Sequence, residues 1–131
     1  MRSAESIIRS ARVGDLLPRR IIDRAHARRL EATALLQLGD APIEPYRSSL
    51  DANAAAFADW DGRVLVRPPD GAPTHRLLVV DRYRQVYAVH DGADAGDLPD
   101  VHELSEWFRF LATACPECGV LDEAIMAGPT A

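Results

Sequence analysis

The sequence predicts an α/β domain in which short strands and amphipathic helices follow one another along 131 residues. Three apolar stretches, residues 31–38, 63–66 and 77–80, have the length and composition of buried strands. Two longer stretches, residues 46–60 and 101–115, repeat apolar side chains at helical spacing. A chain of this length suits one domain, so strands and helices are expected to share one core.

The first thirty residues are predicted to form a helical or irregular extension of that domain. Residues 3–12 suit a short helix, and the glycine and proline of residues 13–18 indicate a turn. Seven arginines lie between Arg9 and Arg29. We interpret them as a solvated helix face with acidic partners in the same chain, and an acidic partner surface is the alternative.

Residues 71–90 predict two strands joined by a tight turn. Pro73 precedes the apolar run, where a missing N–H does least harm to a strand. The polar stretch Asp81-Arg-Tyr-Arg is the connection, and Val86, Tyr87 and Val89 restore β-branched and aromatic character. After a loop over 91–99, Asp100 is a good N-cap for the last helix, with Glu103 three residues later as in a capping box.

Composition excludes several classes of function. The net charge of −5 and a pI near 5.3 argue against a nucleic-acid-binding protein. No apolar run approaches the ~20 residues of a membrane helix, and the N-terminus lacks the apolar core of a secretory signal. Two cysteines three residues apart do not form a secreted disulfide framework. A cytoplasmic location is therefore expected.

The order of elements, with three short motifs, resembles the thioredoxin fold and within it the redoxin and peroxiredoxin-like branch. The motifs are Leu35-Leu-Gln-Leu-Gly39, Gly62-Arg-Val-Leu-Val66 and Asp81-Arg-Tyr-Arg-Gln-Val-Tyr87. The resemblance implies a three-layer sandwich with a β-α-β-β-β-α core of about four strands in a mixed sheet. The core would span 31–114, between the extension of 1–30 and a tail of 115–131.

The same resemblance implies that strands two and three flank strand one. Residues 68–74 are too short for the helix that thioredoxins place between those strands, but seven extended residues reach over ~20 Å and suffice to cross strand one. Pro73 corresponds by resemblance to a proline that is usually cis and lies beside the active site.

The redox cysteines of this fold lie between the first strand and its helix, and there this chain has Ile43-Glu-Pro-Tyr46. Neither Ile43 nor Tyr46 forms a thiolate, so the usual thiol chemistry is absent at that place. The resemblance then implies a module that binds a protein partner or a second copy of itself. The expected docking surface, here called the candidate groove, is formed by Ile43, Tyr46, Pro73 and Thr74.

The motif Cys115-Pro-Glu-Cys118 leaves three interpretations open. Both cysteines are structural, with Cys115 continuing the apolar helix face; or they are the thiol pair of a thiol–disulfide oxidoreductase. The third interpretation is half of a zinc site, completed in a homodimer because zinc requires four ligands. A redox role is disfavoured because the negative end of a helix dipole raises a thiol pKa.

Other chemistry-bearing residues show no pattern typical of a site. The four histidines are dispersed, and the aspartates that recur every third residue from 91 to 100 suit a solvated, capping loop better than a calcium site. No cofactor is expected apart from the zinc alternative. The histidines are His26, His75, His90 and His102.

Overall fold

The computed structural model describes residues 3–22 and 31–113, in which helices cover both faces of a four-stranded sheet. Cys115, Cys118 and the rest of the tail lie outside these residues, as do residues 23–30 of the predicted extension. A short 3₁₀ turn, Ala95–Asp97, precedes the last helix. The helices are α1 (Ala4–Ser10), α2 (Arg19–Ile22), α3 (Tyr46–Ala52), α4 (Ala54–Ala58) and α5 (Val101–Thr113), and the strands are β1 (Ala32–Gln37), β2 (Gly62–Arg67), β3 (His75–Val80) and β4 (Val86–Gly92).

The sheet is mixed, and its strand order is β2-β1-β3-β4. β1 runs parallel to β2 and antiparallel to β3, and β3 runs antiparallel to β4. The predicted α/β class, the mixed sheet of four strands and the flanking of strand one by strands two and three are confirmed. The strand predicted within residues 31–38 is confirmed as β1, which lies between two neighbouring strands and is buried along its whole length.

Alternate side chains of the sheet enter two separate cores. On one face, Leu36, Leu77 and Val79 pack with side chains of α3, α4 and α5 such as Leu50 and Phe108. The side chains of Leu35, Leu78 and Val80 enter the other core, with Ile8, Ala11, Leu17, Ile21 and Ile22 from the N-terminal segment. The strand period of two thus places β1 and β3 between two helical layers.

The N-terminal segment covers the face that the short 68–74 connection leaves without a helix. Arginine side chains of β2 and β3 donate hydrogen bonds to backbone carbonyls of this N-terminal segment, residues 3–22. Arg76 donates from Nη1 to the carbonyl of Arg9 at 2.6 Å and from Nη2 to that of Ala11, and Arg63 donates to the carbonyl of Ile22. The predicted extension is therefore part of the core in residues 3–22.

The helical pattern over 46–60 is interrupted, which the sequence did not predict. α3 ends and α4 begins at Asn53, whose N–H donates to the carbonyl of Leu50 at 3.2 Å. The predicted cap of α5 is confirmed, because Asp100 Oδ1 accepts the N–H of Glu103 at 2.8 Å. None of the helices in the described ranges is both long and apolar enough to cross a membrane.

The connection between β3 and β4 is the predicted polar turn. Asp81 Oδ1 accepts the N–H groups of Tyr83 and Gln85 at 2.9 and 2.8 Å, which replaces backbone partners that the turn lacks. Arg84 has a φ of 70°, in the left-handed region that favours glycine. The side chain of Asp81 thus fixes a turn in which one non-glycine residue is strained.

Candidate functional site

The loop after β1 (residues 38–45) meets a second loop, the one before β3 (residues 68–74). The candidate groove was expected at this place. Gly39 lies so close to the second loop that a Cβ on it would stand 2.1 Å from the carbonyl oxygen of Thr74 and 2.6 Å from that of Ala72. The N–H of Asp40 donates to the same Ala72 oxygen at 2.7 Å. Only glycine allows this approach of two backbones.

His75 ties the loop after β1 to the start of β3. Its side chain is fully buried, and its Nδ1 accepts the N–H of Gly39 at 2.9 Å. The ring therefore carries its hydrogen on Nε2, which lies 3.3 Å from the carbonyl oxygen of Pro42. Both ring nitrogens are used inside the chain, so His75 is a structural residue, as the dispersion of the histidines predicted.

An ion pair fixes the second loop to α1. Arg9 donates from Nε and Nη2 to the two carboxylate oxygens of Asp70 at 2.8 and 2.9 Å. The same Nη2 donates to the carbonyl of Thr74 at 2.8 Å. The Asp70 side chain is only 10% exposed, and the hydrogen bonds from Arg9 are the main cause of its lowered pKa. Arg9 therefore has the acidic intramolecular partner that the sequence predicted for the arginine-rich region.

Acid should remove the stabilisation that Asp70 provides. Because its pKa is lower in the folded than in the unfolded chain, this contribution is complete well above the ordinary pKa of 3.8, begins to decline as the pH approaches that value and is lost as the pH falls through the folded pKa. Asp70→Asn should cost about 1.5 kcal/mol at pH 6. Urea unfolding at pH 6 and pH 3 measures this, and the variant should lose less stability between the two pH values than the parent. An equal loss in both would show that Asp70 does not contribute.

The candidate groove is partly closed. Tyr46 is 7% exposed, and its hydroxyl donates to the carbonyl of Pro99 at 2.6 Å. Burial, followed by the charges of Glu103 and Asp100, raises the pKa of this hydroxyl. Tyr46 is thus a core residue and is not available to a docked partner.

The other three groove residues differ in accessibility. Ile43 is half-buried against the core of α3 and α5, Thr74 is half-buried, and Pro73 is exposed. The cis peptide bond in this region is Glu44–Pro45, so the expectation of a cis bond before Pro73 is wrong. The structure does bring the 39–43 loop and the Pro73–Thr74 segment together, through Gly39, Asp40 and His75.

The chemistry available at this end of the sheet is limited. Both cysteines of the chain follow α5, so no thiol lies in the two described loops. Within residues 3–22 and 31–113, no group of three or more His, Cys, Asp or Glu side chains is arranged to hold a metal ion. The polar groups that meet here, on Arg9, Asp70 and His75, bind one another or the backbone. Their arrangement fixes the loops and leaves no acid–base pair facing solvent.

The last described turn of α5 lies at the opposite end of the sheet. Leu111 and Ala112 line the same small cavity as Ala32, at the start of β1, and Asp61, just before β2. α5 therefore ends on the side of the sheet that is remote from Gly39 and His75. The metal and redox interpretations of Cys115 and Cys118 fall outside the described residues.

Sequence reasoning missed the role of Gly39 and the identity of Asp70 as the acidic partner of Arg9. The predicted strand of residues 31–38 is followed directly by Gly39, and a glycine at that place was the available signal for a close backbone approach. The pairing of Arg9 with Asp70 joins residues 61 positions apart, and no local pattern indicates it.

Comparison of the chain with known protein families, characterised proteins and solved structures found no match in any of the three.

Proposed function

We propose that this chain is a thioredoxin-like, redoxin-related domain that binds a protein partner or a second copy of itself and performs no thiol chemistry at the usual site of that fold. The strand order supports this proposal, because parallel β1 and β2 are followed by an antiparallel β3 and β4. The helices after β1 and after β4 share one face of the sheet. The N-terminal segment takes the place of the helix that thioredoxins have between strands two and three.

One observation carries the functional part of the proposal. Ile43 lies in the loop that leads from β1 into α3, and Tyr46 is the first residue of α3; by resemblance these are the positions of the family's cysteines. Tyr46 is built into the core through its bond to Pro99. Peroxide reduction and disulfide exchange both require a thiolate at this place, and neither side chain provides one.

The candidate groove offers few backbone groups with which a docked peptide could pair. The carbonyl of Ala72 already accepts a hydrogen bond from the N–H of Asp40, and the carbonyl of Thr74 accepts one from Nη2 of Arg9. A docked peptide would have to share these oxygens. The groove therefore offers side-chain contacts, chiefly with the exposed ring of Pro73.

The proposal is tested by measuring redox turnover of the full chain. We expect no consumption of hydrogen peroxide and no reduction of insulin disulfides above the rates without protein, in the presence of excess dithiothreitol. A Cys115→Ser/Cys118→Ser variant is the matched control and should behave identically. Turnover that disappears in this variant would establish the oxidoreductase interpretation of Cys115 and Cys118 and would refute a function by binding alone.

A further inference from the structure

β2 forms one edge of the sheet, and within the described ranges only β1 pairs with it. Its centre is the apolar run Val64-Leu65-Val66, whose side chains are half-buried. The opposite edge is covered where β4 begins. There Gly14 donates to the carbonyl of Val86 and Val86 donates to that of Asp15, each at 2.8 Å. Unpaired apolar edge strands are templates for pairing with another chain.

The outward-facing groups of β2 follow from its bonds to β1. The carbonyl of Asp61 accepts the N–H of Ala32 at 3.0 Å, and that of Arg67 accepts the N–H of Leu38 at 3.4 Å. The backbone N–H and C=O groups of the odd-numbered residues of β2 therefore point toward β1. Because successive residues of a strand alternate, the N–H and C=O groups of Gly62, Val64 and Val66 point away from the sheet.

The usual protection of an edge strand is weak here. Gly62–Arg67 contains no proline or lysine, and its two arginine side chains are held inside the chain. Arg63 donates to Thr33 at 3.0 Å, and Arg67 donates to Glu5 at 2.8 Å. The exposed positions of α4, which packs beside β2, are alanines: Ala54, Ala55, Ala56 and Ala58.

We propose that β2 is a self-association surface, on which a second copy pairs antiparallel with Val64 opposite Val64 of the partner subunit. This gives the proposed self-binding function a location. Gly62 then stands opposite the partner's Val66. The outward-pointing N–H and C=O groups of the two strands face each other along the whole strand, which allows about six new backbone hydrogen bonds. The two sheets continue into one across the twofold axis.

Charge selects this register over its two neighbours. With Val64 at the axis, no arginine of β2 stands opposite another arginine: Arg63 is level with the partner's Leu65, and Arg67 lies beyond the partner's Gly62, where β2 begins. Centring the pair on Leu65 would place Arg63 opposite the partner's Arg67, and Gly62 opposite the partner's Pro68, which has no N–H. Centring it on Arg63 would place that arginine opposite itself, and like charges directly opposite destabilise a strand pair.

Sedimentation velocity of the full chain over a range of concentrations tests the association. The parent chain should form a dimer that persists in EDTA, since no metal is involved. Val64→Lys places two like charges opposite each other and should raise the dissociation constant at least tenfold. Val64→Thr, which keeps the β-branched shape, should remain dimeric. A parent chain that is monomeric throughout, or a dimer that EDTA dissociates, would overturn the proposal.

Cross-linking tests the register and does not depend on the behaviour of the lysine variant. In a Cys115→Ser/Cys118→Ser background, Val64→Cys faces its own copy at a Cα separation of about 5.5 Å, which suits a disulfide. In the matched variant Val66→Cys, position 66 of one subunit lies four residues along the strand, about 13 Å, from position 66 of the other. Oxidation should link Val64→Cys chains and leave Val66→Cys chains unlinked; equal linking, or none, would refute the register. Failure here leaves the redox test of the proposed function unaffected, and redox activity would not remove the dimer.

Discussion

Replacing Gly39 with alanine should lower the free energy of unfolding by about 3 kcal/mol, at the upper end of the usual cost of overpacking. The new methyl group would meet the carbonyl oxygens of Thr74 and Ala72 at 2.1 and 2.6 Å. Both are backbone atoms, and the carbonyl of Thr74 also accepts a hydrogen bond from Arg9. Moving either loop to make room for the methyl group would therefore cost free energy. Urea unfolding followed by circular dichroism measures the effect.

Gly96→Ala is the matched control for Gly39→Ala. Nothing lies within 4 Å of a Cβ on Gly96, and its φ is outside the left-handed region. The control should change the free energy of unfolding by less than about 0.5 kcal/mol, as is usual for a surface substitution. If Gly39→Ala is as stable as Gly96→Ala, the loops are not packed together in solution and the candidate site is misplaced.

Replacing His75 with leucine should cost about 2 to 3 kcal/mol. Leucine is apolar and leaves the buried N–H of Gly39 without an acceptor, which incurs the desolvation cost of that group. It also removes the contact between His75 Nε2 and the carbonyl of Pro42. The same unfolding measurement applies.

His75→Asn distinguishes the lost hydrogen bond from lost volume. The asparagine side chain is smaller than leucine but offers an amide oxygen near the position of Nδ1, so it should recover part of the lost stability. His102→Leu, at an exposed position of α5, should be nearly neutral. If asparagine is no better than leucine at position 75, the bond from Gly39 is not what holds the loop.

Much of the fold could be predicted from local patterns. The apolar runs of β1 and β3 and the Asp100 cap act within a few residues, and each was placed correctly from its neighbours in the chain. The break at Asn53 was missed because the apolar spacing from Leu50 to Phe57 continues across it. Packing against residues distant in the sequence determines where a helix breaks, and the spacing of apolar residues does not reveal it.

Less of the candidate site could be predicted. The resemblance drew attention to Ile43 and Tyr46, but nothing in the sequence indicated that Tyr46 is buried, because its partner Pro99 lies 53 residues away. The N-terminal segment was expected to be an extension, and its role in covering the sheet depends on the distant arginines Arg63 and Arg76. The position of β2 at an edge of the described sheet becomes visible only once the strand order is known.

The most direct test of a binding module without thiol chemistry is redox turnover by the full chain, compared with its Cys115→Ser/Cys118→Ser variant. We expect both proteins to leave hydrogen peroxide and insulin disulfides untouched at rates indistinguishable from buffer with dithiothreitol. Catalytic reduction of either substrate by the parent chain, abolished by the two serine substitutions, would contradict that function.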